Sequence, residues 1–176
     1  CNQQNFWLTQ ALRVQQEFDE QLWSPEGGGY YNTAKDTSQE LILRERSWID
    51  SATPAANGVA IANLVRLALL SENLDYLDKA EQALKVFGHL MGESPHGCPS
   101  LFSALDWYWH HTLVRTTPDG VNLMMQQYSP TAIYALEPHL PPGAIGLVCQ
   151  GLTCQEPAQS QAQLQQQINL SQIRMA

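Results

Sequence analysis

The sequence predicts a mainly helical protein with a small β-hairpin inserted between its first two helices and a short α/β segment in its last third. Three observations predict it. Apolar residues recur every three to four positions through the first 110 residues. One stretch, residues 59–70, is apolar on nearly every side and belongs inside a helical layer rather than on a surface. Beyond residue 112 the pattern changes to short β-branched runs around a weak helix, which is the strand–helix–strand signature of parallel pairing.

Residues 5–23 form the first predicted helix, with Trp7, Ala11, Val14, Phe18 and Leu22 on one stripe and Ser24-Pro25 as its stop. Gly27-Gly28-Gly29 leads into an extended piece, Tyr30-Tyr31-Asn32-Thr33. A second extended run, Glu40-Leu41-Ile42-Leu43-Arg44, is expected to pair with it as a hairpin. The second helix is expected over 55–71 and the third over 74–91, with Tyr76, Ala80, Ala83, Leu84, Phe87 and Met91 inward. Ser71-Glu72-Asn73 is so short a link that these two must form an antiparallel hairpin. A fourth helix is expected over 100–111. Strands are expected at 112–115, 131–136 and 145–149, with a weak helix at 121–128. The Gln-rich tail, 158–176, carries Leu164, Ile168 and Ile173 at loose helical spacing and is expected to be a partly frayed helix. The expected organisation is a helical part over 1–112, an α/β segment over 113–157 and that tail.

Composition narrows the function classes. With 176 residues, 44% hydrophobic and 15% charged, the chain is a packed globular one. Its net charge of -8 and nine basic residues, unclustered, argue against nucleic acid and anionic membranes as partners. No apolar run reaches the roughly 18 residues of a membrane span. The chain lacks an initiator Met and opens on polar residues without a signal peptide, so a cytoplasmic fragment of a longer protein is the expectation. The four cysteines, Cys1, Cys98, Cys149 and Cys154, read as reduced thiols. A disulfide between Cys149 and Cys154 is the alternative, as is a zinc set with His96 and Cys98 if the fold joins two distant loops. No cofactor or metal motif is present.

The site candidates cluster at Trp48-Ile49-Asp50-Ser51-Ala52-Thr53-Pro54-Ala55-Ala56-Asn57-Gly58. A polar, proline-stiffened turn opening a buried helix brings a carboxylate, an amide and free N–H donors to one spot. Asp50 is the candidate general acid or base, with an Asx-turn or cap as its structural alternative. Asn57 is either a ligand contact or a helix cap. Tyr31, with Tyr30 and Trp48, could stack on a sugar or pack the hairpin onto the helices. Arg44 and Arg46 could clamp an anion or pair with Glu40 and Glu45. The histidines at 110 and 111 suit a helix C-terminus without further explanation.

These motifs carry a resemblance. Gly28-Gly29-Tyr30-Tyr31-Asn32-Thr33, Leu41-Ile42-Leu43-Arg44-x-Arg46, Asp50-x-Ala52-x-Pro54-x-x-Asn57, Asn63-Leu64-x-Arg66-Leu67 and Val148-Cys149-x4-Cys154-x-x-Pro157 resemble, in that order, the C-terminal half of the YyaL-type thioredoxin-domain proteins. That family is also called spermatogenesis-associated-protein-like. The resemblance implies a parent with a thioredoxin-like domain followed by an (α/α)6 toroid similar to six-hairpin glycosidases and sugar epimerases, of which this chain would be the closing part. By fold analogy it implies carbohydrate processing or binding, with Asp50 as acid or base and Asn57, Arg44, Tyr31 and Trp48 orienting a sugar-like molecule. Two other roles stay open: a non-catalytic module docking a partner, and a redox role for Cys149 and Cys154 toward the thioredoxin-like domain. The turn departs from the family pattern at Ser47, Ser51, Ala55, Ala56 and Gly58. Alone, the chain is expected to be inactive and to expose core-facing surface around 59–70.

Overall fold

The computed structural model describes residues 2–36, 43–151 and 153–174, and divides into two compact units, Asn2–Tyr108 and a second beginning at Trp109. Mainly helical structure and a small four-stranded sheet are both present.

The first unit is built from α1 (Asn2–Leu22), α2 (Ala56–Ser71), α3 (Asp75–Glu93) and most of α4 (Pro99–His110). The expected α2–α3 hairpin forms. Glu72 takes a left-handed conformation (φ 59°), which ends α2 and reverses the chain. Asn73 Oδ1 then accepts the Asp75 N–H at 3.0 Å, and Asp75 and Asp78 sit in the first turn of α3, where the helix dipole favours carboxylates. The core of this unit comes mostly from α2 and α3: Ile61, Leu64, Val65, Ala80, Ala83 and Phe87 are buried, and Leu101 and Trp107 of α4 join them. Residues 59–70 are therefore mostly inside, and the expectation of exposure there is corrected to one edge, Val59 and Asn63, with Arg66 half-buried. Burial of the other positions follows from pairing with α3, which the short link enforces.

Of the hairpin expected between Tyr30–Thr33 and residues 40–44, the turn and residues 40–42 lie outside the described residues. Among the described residues Tyr30 pairs backward, as a single antiparallel bridge to Trp23. The glycine turn makes this possible: Gly28 and Gly29 have φ of +72° and +76°, a region that disfavours side chains. Asn32 donates its N–H to the Glu45 carbonyl at 2.8 Å. Residues 43–55 otherwise run as an irregular strap to the start of α2.

In the second unit the sheet order is β2-β1-β3-β4, for β1 (Thr112–Thr116), β2 (Ala132–Leu136), β3 (Gly146–Gln150) and β4 (Thr153–Cys154). β1 and β2 are parallel and joined through α5 (Pro118–Met124), as the strand–helix–strand pattern predicts. β3 runs antiparallel to both β1 and β4. α6 (Gln161–Ser171), the helix expected in the tail, joins this core: Leu164 and Ile168 pack with Val114, Met124, Val148 and Ala158. Ser160 caps it by accepting the Gln163 N–H. Two apolar anchors, Leu164 and Ile168, hold it where the glutamine-rich composition suggests looseness.

The free-thiol expectation is also corrected. Cys149 and Cys154 are joined by a disulfide, with Cα atoms 3.9 Å apart. They face each other across the β3–β4 hairpin, with Gln150 opposite Thr153 and the Gln155 N–H bonded to the Val148 carbonyl. A four-residue gap looks wide along a chain, but an antiparallel turn folds it face to face. Cys98 is free and buried.

Candidate functional site

The predicted site residues fall on the strap and its two anchoring helices, and most of their polar atoms are already bonded within the protein. Asp50 lies at the N-terminus of α4. Its Oδ2 accepts the Ser100 N–H at 2.8 Å, and its Oδ1 accepts the Ser100 hydroxyl at 2.5 Å and the Ala55 N–H at 2.9 Å. The carboxylate thus serves the first turn of α4 and the residue preceding α2 together, satisfying donors that a helix start leaves open. Partial burial by itself would raise the carboxyl pKa. The Ser100 hydroxyl and the two backbone N–H groups outweigh it, so the pKa lies below the ordinary carboxylate value. Gly58 is what allows the approach: a Cβ there would lie 2.2 Å from the Ser100 hydroxyl oxygen.

Asn57 neither caps α2 nor faces solvent. The capping position is Ala55, and Asn57 sits one residue inside the helix, fully buried. Its Oδ1 accepts the Tyr30 N–H at 2.7 Å, and its Nδ2 donates to the carbonyls of Tyr30 at 2.9 Å and Ser47 at 2.8 Å. One amide therefore pairs both backbone groups of Tyr30 like a neighbouring strand and ties in the strap.

Tyr31 stands beneath the Arg44 guanidinium, 4.1 Å from its ring centroid, with Arg46 at 5.8 Å. Arg44 donates to the Thr33 and Gln21 carbonyls and Arg46 to the Gly28 carbonyl. Glu40, a suggested partner, lies outside the described residues. Trp48 is half-buried on the strap between Ser47 and Asp50.

Sequence reasoning missed the cluster behind Tyr30. The buried Tyr30 hydroxyl donates to Asp19 Oδ1 at 2.6 Å and accepts from Gln15 Nε2 at 2.9 Å, while Lys79 pairs with Asp19 Oδ2. Burial first, then the Asp19 carboxylate, push the phenol far above its usual range, so it is a fixed donor. Asp19 and Lys79 are 60 positions apart, and no periodicity signals such a pair.

One open feature of this unit is a groove of about 800 Å³ between α1 and α2; a second, more polar one of about 890 Å³ lies between α1 and the α2–α3 link. In the first, Trp7, Val14 and Phe18 form one wall and Val59 and Leu67 the other, with Arg66 between polar Asn63 and the apolar side. Trp7 is 67% exposed and Val14 60%. The sequence marks this stripe correctly as apolar at helical spacing. It does not show that α1 buries just one of its described side chains, Gln15.

The Cys149 and Cys154 pair is oxidised, with Cys149 buried and Cys154 exposed on β4. Among the described residues no group of His, Cys, Asp or Glu is arranged to hold a metal ion. No described helix is long and apolar enough to cross a membrane.

No family model matches the chain. Over 105 residues, 60% of its length, it is similar to spermatogenesis-associated protein 20 of Mus musculus at 35% identity and of Homo sapiens at 35%. An uncharacterized protein of Caenorhabditis elegans is 29% identical over 99 residues. The matched stretch covers 13% of each of these relatives, all of them far longer proteins.

Proposed function

We propose that this chain is the C-terminal portion of a larger protein, in which its helical unit is a non-catalytic docking module. The groove between α1 and α2 takes a helix from the rest of the polypeptide. The observation that carries this reading is α1 itself: a 21-residue helix whose apolar stripe, Trp7 to Phe18, faces an open groove. A helix with so little of its apolar side covered needs a further partner to be stable. The length of the relatives supplies ample chain for one. In its most specific form, α1–α4 close an (α/α)6 toroid in a parent that also carries a thioredoxin-like domain.

The competing enzyme reading keeps Asp50 as acid or base on a sugar, oriented by Asn57, Arg44, Tyr31 and Trp48. Docking is favoured because the Asp50 carboxylate accepts three hydrogen bonds that lower its basicity. The Asn57 amide is spent on backbone and Arg44 lies over Tyr31. A redox reading is favoured by the disulfide alone, with exposed Cys154 as the sulfur open to thiol attack.

Hydrogen exchange on this chain and on its natural full-length polypeptide tests the proposal. The amides of α1 are expected to exchange fast in the chain alone and at least tenfold slower in the full-length protein. Equal exchange in both would remove the docking reading. Turnover of a sugar by the full-length protein, lost in Asp50→Asn with folding intact, would replace it with the enzyme reading.

A further inference from the structure

Arg66 is the single charged residue lining the groove. Its guanidinium stacks 4.3 Å above the ring of buried Trp107 and donates one hydrogen bond, to Asn63 Oδ1 at 2.8 Å. Among the described residues no carboxylate pairs with it, although the chain carries 17 acidic side chains against nine basic ones. Elsewhere Arg13 and Arg115 have carboxylate partners. Arg66 is thus a half-buried cation stacked on an aromatic ring, with one hydrogen-bond acceptor and no carboxylate partner among the described residues. Closing an apolar groove over it would strand its remaining donors unless the incoming group accepts them, and an unpaired buried charge opposes association strongly. A planar guanidinium fixed in this way matches a carboxylate in a two-bond geometry.

The shape of the groove specifies the rest of the occupant. Its walls are helical stripes: Trp7, Ala11, Val14 and Phe18 on α1, and Ala56, Val59, Asn63 and Leu67 on α2. Each stripe covers 12 positions, about 16 Å or three turns, which is the footprint of a helix rather than of a compact small molecule. A second copy of the chain is poorly suited, because face-to-face pairing would set apolar walls and Arg66 against each other with no carboxylate in the groove lining.

We propose that the helix filling this groove comes from the longer polypeptide and carries, on its apolar face, one Asp or Glu that pairs with Arg66 and sets the docking register. This rests on the docking reading and adds the chemistry of the partner. The ion pair excludes helices that are apolar alone, since these would bury Arg66 unpaired.

The experiment uses the natural full-length polypeptide with two probes. In an Arg66→Lys variant, carbodiimide coupling joins the new amine to any carboxylate in contact, and mass spectrometry locates the bond. A photo-crosslinking amino acid at Val59 reports independently which segment lies in the groove. The expected result is that both probes reach the same helical segment outside the 176 residues, at an Asp or Glu for the amine. In Arg66→Gln, exchange of the α1 amides should rise at least tenfold over the wild-type full-length protein. If the Val59 probe captures a helix, but the amine stays uncoupled to it and Arg66→Gln leaves α1 exchange unchanged, the carboxylate is overturned and docking stands. Should the Val59 probe find no segment of its own polypeptide, docking falls and the carboxylate with it. Crosslinks between two copies at Val59 would assign the groove to self-association and overturn both.

Discussion

Two regions around α2 are built on opposite terms. At the strap, Asp50 and Asn57 each make three hydrogen bonds within the protein, and the Tyr30 hydroxyl is bonded on both its donor and acceptor sides. At the α1 groove, apolar side chains face solvent and a half-buried guanidinium has no carboxylate among the described residues. The polar, conspicuous region is internally closed and the plain apolar one is open. Polar groups at a helix start announce a site in sequence, but the same groups are what an irregular segment needs to satisfy its own backbone. The difference teaches that saturation of hydrogen bonds, rather than residue type, separates a structural knot from a surface awaiting a ligand.

The largest effect that would break this contrast is at Asn57. Asn57→Ala leaves the buried N–H of Tyr30 and two carbonyls unpartnered, and a loss of about 3 kcal/mol is expected. Urea unfolding of the chain measures it, and a loss below about 1 kcal/mol would mean that the amide is not the clasp. Asp50→Asn comes next, at about 2 kcal/mol, because one side-chain amide cannot accept from all three donors with a charge. A pH series sharpens this. The Asp50 pKa is depressed on folding, so its contribution is complete above the unfolded value and disappears as pH falls through the folded value, below about pH 4. The Asp50→Asn variant should accordingly lose less stability than wild type on acidification through that window.

The sheet unit supplies an independent scale. Replacing both Cys149 and Cys154 by Ser opens a short loop, for which chain-entropy arithmetic gives about 2 kcal/mol, and exchange should rise in the β3–β4 hairpin first. The smallest effect belongs to the groove. Trp7→Gln and Val14→Gln should change the stability of this chain by no more than about 0.5 kcal/mol, since both side chains are mostly exposed. A loss of 2 kcal/mol at either position would mean that α1 is already packed, and the contrast with the strap would collapse.

Much of the fold is legible because it depends on local periodicity. The stripe of Tyr76, Ala80, Ala83, Leu84, Phe87 and Met91 forecasts α3, and the short Ser71-Glu72-Asn73 link forecasts its hairpin with α2. The strand–helix–strand order forecasts the parallel β1–β2 pair. Tyr30 shows where local reading stops: its extended character is visible, but its direction of pairing depends on the Gly28-Gly29 turn and on Asn57, 27 positions away. The candidate site was located by its residues, and its meaning depended on Ser100, which lies 50 positions from Asp50 and carried no signal of its own.

By itself, then, the sequence determined the helices, the hairpin connection and the α/β tail, because backbone sterics and burial periodicity act over neighbouring residues. It also determined that the turn from Asp50 to Asn57 opens a buried helix. Only the tertiary structure decided that those two side chains are consumed in holding the strap, that Cys149 meets Cys154 across a hairpin, and that Arg66 ends at an apolar groove without a carboxylate. The physical reason is that a polar group's role depends on which distant partner reaches it, and burial and hydrogen bonding between remote segments exist only once the chain has packed.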